Sequence, residues 1–363
     1  MNYLKKAYEL IDKINSYGHE AYIIGGAVRD YLLKKNINDI DITTSMSCTE
    51  LLKHFSCYDS GSIYLSVTII YEGYYFEVTT FRTDVEYIDF RHPIIKEAQT
   101  LKEDTKRRDF TINALAMTEK EIIDYYNGID DLNNKIIKAI GDPIKRFNED
   151  ALRILRACYF SSKLGFNIDE NTLNAMIACK KNLLYLSDER ITDYVFRIIY
   201  SDNQNGLNYI NKYDLFEYIS NYKKAINLFS NSLNKEENYI LYFIKYKEEL
   251  PLMPKSAKKS AIILDKLINE GFNLYNLFLY KEEIKLLANV IKHLGYDIDE
   301  ILFKLDNLLI KDYLDLKVSK ALISTMFTGN MIAYAIKRVI QEILEGNIKN
   351  DINEIVHFLE GIR

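Results

Sequence analysis

Two aspartates, Asp39 and Asp41, are separated only by Ile40 in the segment NDIDITT. On an extended strand alternate side chains share a face, with a rise of about 3.3 Å per residue. Both carboxylates then point one way, while Ile40 and Ile42 point into a core. Carboxylates so placed suit a hard divalent cation, and Mg²⁺ takes few protein oxygens and completes its shell with substrate phosphates. Upstream, Gly25 and Gly26 follow the apolar run Ala21–Ile24 and precede a helical pattern that contains Arg29 and Asp30. Glycines at a strand-to-helix turn let backbone N–H groups approach a polyphosphate, aided by the helix N-terminus. Each feature alone is commonly a plain turn or a strand end. In this order and spacing they imply nucleotidyl transfer.

Three further groups of residues carry charge in patterns that bear on the same chemistry. Arg107 and Arg108 are adjacent in DTKRRDFTINALAM, and guanidinium groups fork onto phosphate or ribose oxygens. Asp150, Arg153 and Arg156 recur every third residue, which places them along one side of a helix. Such a trio reads as a surface ion pair or as a base reader. Adenine and cytosine both present an exocyclic amino donor beside a ring-nitrogen acceptor, and a carboxylate with an arginine complements that pair. Guanine and uracil reverse the pattern and would leave buried groups mispaired. Glu77, in FEVTTF, would join the metal site if its strand lies beside the D-x-D strand; an ordinary surface glutamate explains it equally well.

The elements that must position these groups follow from periodicity. Residues 1–18 predict an amphipathic helix with Leu4, Ala7, Tyr8, Ile11 and Ile14 on one face. A short helix is expected at 49–55, and strands at 63–70 and 74–81 about a Glu72-Gly73 turn. Residues 82–103, polar and interrupted by Pro93, read as a long irregular loop. Residues 122–143 read as short strands about a Gly128 turn, and beyond about 140 no strand is expected. The expected class is therefore α+β, a mixed-sheet head at 1–140 followed by an all-α half. Nearly half of the 363 residues are apolar and 27% are charged, a globular balance. The net charge of −5 carries no global nucleic-acid signature. Four cysteines without a C-x-x-C pair argue against a disulfide framework or zinc, and point to a reducing cytoplasm. The N-terminus has no signal-like apolar core, and no run reaches membrane-spanning length, so no membrane partner is expected.

With these pieces together, the chain resembles the class II tRNA nucleotidyltransferases, the CCA-adding enzymes and their bacterial poly(A) polymerase relatives, within the superfamily that includes DNA polymerase beta. The match runs in order through GGAVRD (25–30), DID (39–41), TFRTDVEYIDFRHP (80–93), KEDTKRRDFTINALAM (102–117), Gly128 with Asp131-Leu132, EDALR (149–153) and SDERI (187–191). The resemblance implies a polymerase-beta-like catalytic head (1–140), a helical neck that selects the base (141–200), and a helical body and tail (201–363) that binds the acceptor and T arms of tRNA. It implies Asp39 and Asp41 as catalytic Mg²⁺ ligands, and Gly26, Arg29 and Arg108 (with Arg107) as nucleotide contacts. Asp150 and Arg153 would read the base, Arg156 would add a contact, and Glu189-Arg190 would support their helix. The family often has a further arginine at the position held here by Tyr159, so that contact is in question. A mobile loop would fall at 82–100 with Arg91 and His92, the histidine having no assigned chemistry. Lys255, Lys258 and Lys259 are candidate tRNA phosphate contacts, with a solvated face as the plainer reading. The implied activity is template-independent addition of C, C and A to tRNA from CTP and ATP. An A-adding specialist, a poly(A) polymerase and, outside the class, a catalytically dead RNA-binding module remain alternatives, and the oligomeric state is not readable.

Overall fold

The computed structural model describes residues 2–61, 65–87 and 93–363. Its contacts divide the chain into two compact units, Met1–Ile226 and Asn227–Arg363.

The first unit is built on a seven-stranded mixed sheet. Its strands are β1 (Ala21–Ile24), β2 (Asp41–Thr44), β3 (Cys57–Gly61), β4 (Ser66–Tyr71), β5 (Tyr74–Thr80), β8 (Ala116–Met117) and β9 (Ile122–Ile123), in the order β3-β4-β5-β2-β1-β8-β9. Only β2 and β5 run parallel; the other neighbours are antiparallel. Helix α1 (Asn2–Asn15) lays Ala7, Leu10, Ile11 and Ile14 into one core cluster with Ile23, Ile42, Val67, Phe76 and Val78 of the sheet. The three- and four-residue spacing on the helix and the two-residue spacing on the strands each gather apolar side chains on one face, and the two faces meet in that cluster.

Two helices flank the site strands. Helix α2 (Gly26–Leu32) starts directly at the glycine turn, and α3 (Cys48–His54) opens with a capping box in which Ser47 and Glu50 exchange side-chain-to-backbone bonds.

Several expectations change. The described residues of 82–103 are regular for the most part: β6 (Arg82–Tyr87) and β7 (Pro93–Glu97) pair as an antiparallel ribbon, followed by α4 (Leu101–Lys106). Pro93 is tolerated as the first residue of a strand, where its missing N–H interrupts no ladder. Arg91 and His92 lie outside the described residues. The Gly128 turn is the start of helix α5 (Gly128–Asn133), fixed by Asp124, whose carboxylate accepts from the N–H groups of Tyr126, Gly128 and Ile129. A strand does occur beyond residue 140: β11 (Asn167–Ile168) pairs in parallel with β10 (Ile136–Ile137). The single helix expected to carry Asp150, Arg153 and Arg156 is two helices, α6 (Pro143–Glu149) and α7 (Leu152–Leu164), because Asp150 adopts an extended φ/ψ of −145°/103° between them.

Beyond α7 the first unit continues as α8 (Glu170–Cys179), α9 (Asp188–Ile199) and α10 (Asn205–Lys212). Gly206 on α10 is obligatory, since a Cβ there would lie 2.0 Å from the Cys158 carbonyl oxygen. Its N–H donates to Ser162 Oγ at 2.9 Å, which pins α7 from behind. Helix α11 (Ser220–Leu228) crosses from the first unit into the second. The second unit is helical throughout its described residues, from Lys235–Tyr246 to Ile352–Gly361. Its helix Asn330–Leu344 buries Ala335, Val339, Ile340, Ile343 and Leu344, with Ile332 and Ile336 only half-buried. Among the described residues no helix is long and apolar enough to cross a membrane.

Candidate active site

The glycine turn with α2, the start of β2, the segment 107–113, Asp150 and the helices α7 and α9 line one cavity of about 410 Å³. It brings together seven of the eight expected site residues: Gly26, Arg29, Asp41, Arg108, Asp150, Arg153 and Arg156. Asp39 is the one it leaves outside. The strand begins at Asp41, so Asp39 and Ile40 precede it, yet the exposed-buried alternation persists through Ile42. Asp39 therefore stays on the Asp41 side of the chain, exposed next to the cavity wall.

Asp41 stands beside Glu77, its register partner on the parallel strand β5. Asp41 is exposed by surface area, yet the crowding of its carboxyl by the surrounding cavity wall desolvates it and raises it above the usual carboxylate range; the Glu77 and Asp39 charges add to this and Arg108 only partly offsets them. No hydrogen bond or ion pair from the described residues reaches the Asp41 carboxylate. Glu77 instead accepts from Ser66 Oγ at 3.0 Å. No group of three or more metal-ligating side chains converges among the described residues. An acidic pair with excess negative charge and unengaged oxygens suits a cation that brings its own phosphate ligands.

The glycine turn is shaped by its neighbours. Gly25 has φ +75°, and a Cβ there would sit 3.0 Å from Arg108 Nη1. The turn and the arginine thus fit only because residue 25 has no side chain. Arg29, 3% exposed, donates from Nε to Asp30 at 2.8 Å and from Nη1 to Asn113 Oδ1 at 2.7 Å. Arg107 and Arg108 share one buried carboxylate, Asp104, at 2.9 and 3.6 Å. Burial alone would raise the Asp104 carboxyl, but the two guanidinium groups and the Arg82 N–H hold it below its ordinary value. Asp104 lies three and four residues before the arginines it orients, a spacing that could have flagged it.

On the helical side, Asp150 Oδ1 accepts from the Leu152 N–H at 2.9 Å and so starts α7. Arg153 is buried and donates to the Arg146 and Arg107 carbonyls at 3.1 and 2.9 Å and to Glu149 at 3.2 Å. Arg146, which the sequence did not single out, donates to the Lys106 and Arg108 carbonyls at 2.6 and 2.8 Å. Helices α6 and α7 are thereby clamped to the segment that carries Arg107 and Arg108. Arg156 donates from Nε to Asp109 at 2.6 Å and from Nη1 to Tyr194 Oη at 3.1 Å. Burial works against the ionised Asp109, but Arg156 and the bonds from Phe110 N and Asn113 hold its carboxyl below the usual range. Phe160 lies between Arg29 and Arg156, whose guanidinium carbons stand 5.3 and 5.2 Å from its centroid. Glu189 and Arg190 are exposed at the start of α9; it is Tyr194 and Arg197 of that helix that reach the cavity.

A polyphosphate-sized, cation-lined cavity beside a carboxylate-bearing strand defines a nucleotidyltransferase-type site. The family model described as "Poly A polymerase head domain" matches residues 21–138, and "Probable RNA and SrmB- binding site of polymerase A" matches 165–223. A CCA-adding enzyme of Ligilactobacillus salivarius is 34% identical, covering 96% of this chain and 94% of the relative. One from Enterococcus faecalis is 46% identical over 57% of the chain, so the match spans about half (52%) of that relative. A Bacillus stearothermophilus CCA-adding enzyme, solved in complex with CTP, superposes with a TM-score of 0.76 at 27% identity, covering 98% of this chain and 96% of that one. The chain belongs to the family of CCA-adding enzymes.

Proposed function

We propose that this chain is a tRNA nucleotidyltransferase that adds C, C and A to the tRNA 3′ end from CTP and ATP without a nucleic-acid template. The observation that carries the reading is the convergence, in one cavity, of the Gly25-Gly26 turn, Asp41 and the Asp150–Arg153–Arg156 series, drawn from segments more than a hundred residues apart. Family membership supports it.

In this reading Gly26, Arg29 and Arg108 hold the triphosphate, with Asn113 and Asp104 fixing the two arginines. Asp39 and Asp41 hold Mg²⁺. The metal ions, when bound, polarise the α-phosphate, activate the tRNA 3′-hydroxyl and stabilise the pyrophosphate leaving group. Asp150 accepts from the exocyclic amino group of C or A, and Arg153 donates to the ring nitrogen. The bonds from Arg153 to the Arg146 and Arg107 carbonyls keep that donor at a fixed place, so a base with reversed polarity meets mispaired groups. Arg156, anchored by Asp109 and Tyr194, adds charge beside the base reader. The head, neck and body–tail divisions at 1–140, 141–200 and 201–363 follow from the same reading, the last holding tRNA by shape and backbone contacts.

The test offers the purified protein, with Mg²⁺, three tRNA transcripts ending at the discriminator base, at −C and at −CC, each with labelled CTP, ATP, GTP or UTP. Completion of all three to CCA with GTP and UTP refused is the expected result. Incorporation of A only onto −CC would make it an A-adding specialist, and long A tails would make it a poly(A) polymerase. No incorporation would overturn the reading.

A further inference from the structure

One wall of the cavity alternates cations with aromatic rings. Arg29 and Arg156 stand over Phe160; Arg156 bonds the hydroxyl of Tyr194; Arg197 stands over Tyr194 at 5.4 Å and over Tyr159 at 5.8 Å; Lys163 stands over Tyr159 at 5.8 Å. Tyr159 and Tyr194 also meet edge to face, with centroids 5.8 Å apart. Each arginine of the series carries one carboxylate: Asp30 for Arg29, Asp109 for Arg156, Asp193 for Arg197. Lys163 has none among the described residues.

Tyr159 lines the cavity from α7, three residues beyond Arg156. An arginine in this α7 position would project its charge into the cavity that Tyr159 now lines. The ring supplies no charge, but its face and that of Tyr194 hold Arg197, from a different helix, at the same wall. The geometry points to Arg197, assisted by Lys163, as a phosphate-binding extension of the nucleotide site that contacts the triphosphate of the incoming nucleotide. This rests on the nucleotidyltransferase reading above and deepens it.

Three features support the assignment. Arg197 and Lys163 are continuous, through Arg156 and Phe160, with Arg29 at the glycine turn, so their charge extends the phosphate cradle. The Arg197 side chain is half exposed, and its ion pair with Asp193 is of the weak, solvent-screened kind, which a multiply charged phosphate displaces. The two tyrosine faces restrict the guanidinium before ligand arrives, which lowers the ordering cost of binding.

The experiment measures binding of inorganic tripolyphosphate to the full chain by equilibrium competition, and the KM values for CTP, ATP and tRNA. Arg197→Ala is expected to weaken tripolyphosphate binding and to raise the KM for both CTP and ATP by about tenfold, the loss of one charge-assisted contact. The tRNA KM stays within about twofold, and refusal of GTP is unchanged. Lys163→Ala shows the same pattern at smaller amplitude. Tyr159→Arg placed in the Arg197→Ala background restores most of the affinity, which a merely structural role for Arg197 would not allow. Unchanged tripolyphosphate binding in Arg197→Ala, failure of that rescue, or a rise in tRNA KM alone (an RNA phosphodiester contact) would each overturn the proposal. If the wild-type protein adds no nucleotide, the function above falls, while the tripolyphosphate measurements still decide the subsite.

Discussion

Both units contain a cavity of similar size, about 410 Å³ in the first and 510 Å³ in the second, but their walls differ in kind. The first is lined by seven arginines and lysines against three aspartates. The second, between Phe272, Leu274, Tyr275 and Leu344, has one lysine, Lys304, and one glutamate, Glu345. Lys304 is further engaged with Glu300 at 2.5 Å. Cavities of similar volume thus differ in charge: the first carries an excess of oriented positive charge beside a carboxylate, the second does not. Both family models also fall within the first unit. The lysines at the start of Lys255–Glu270 reinforce the contrast, since Lys258 pairs with Glu249 at 2.5 Å while Lys255 and Lys259 are exposed and have no such anchor among the described residues.

The contrast breaks most severely at Asp41. Asp41→Ala is expected to lower nucleotide addition roughly a thousandfold by removing several kcal/mol of metal-dependent stabilisation, read by single-turnover addition of labelled CMP. An activity within tenfold of wild type would remove Asp41 from the chemistry.

Next in size is Asp104→Asn, which leaves Arg107 and Arg108 without their shared buried carboxylate. A loss of about 3 kcal/mol is expected for breaking a buried pair, with raised CTP KM. Because the Asp104 carboxyl lies below its ordinary value in the fold, its contribution is present above about pH 4 and disappears as pH falls through the lowered folded value. Denaturant titrations of both proteins should thus differ at pH 7 and converge in acid; a gap independent of pH would contradict the assignment.

Gly25→Ala combines a left-handed φ with a close approach to Arg108, for a cost of about 1–2 kcal/mol. Weaker CTP binding should accompany the drop in Tm, whereas a pure stability loss would dissociate the turn from the phosphate site. At the small end, Tyr275→Ala in the second cavity should leave the CTP KM within about twofold. A tenfold rise there would erase the distinction between the two cavities.

Much of this was readable in advance where local rules act alone. The α1 face, the strands β1 and β5, the glycine turn and the D-x-D segment each follow from periodicity over fewer than twenty residues. The α+β class and its all-helical second half follow from the same patterns. The β6–β7 ribbon was missed because its polar residues carry no apolar period, and its stability comes from pairing of backbone groups. The split of α6 from α7 was missed because Asp150 and Ala151 look helical until the Asp150 carboxylate is seen accepting the Leu152 N–H.

The sequence by itself determined the chemical inventory: the glycine pair, the aspartates, and the arginines at 29, 107, 108, 153 and 156. Tertiary structure decided their partners. It set Glu77 beside Asp41 through a parallel strand pairing, put Asp104 under both Arg107 and Arg108, tied Arg153 to the Arg107 carbonyl and brought Arg197 over Tyr159. Residue type and short spacing report what a side chain is able to do. Burial, field and partner arise only when segments distant in sequence are packed together, and those set charge, orientation and selectivity.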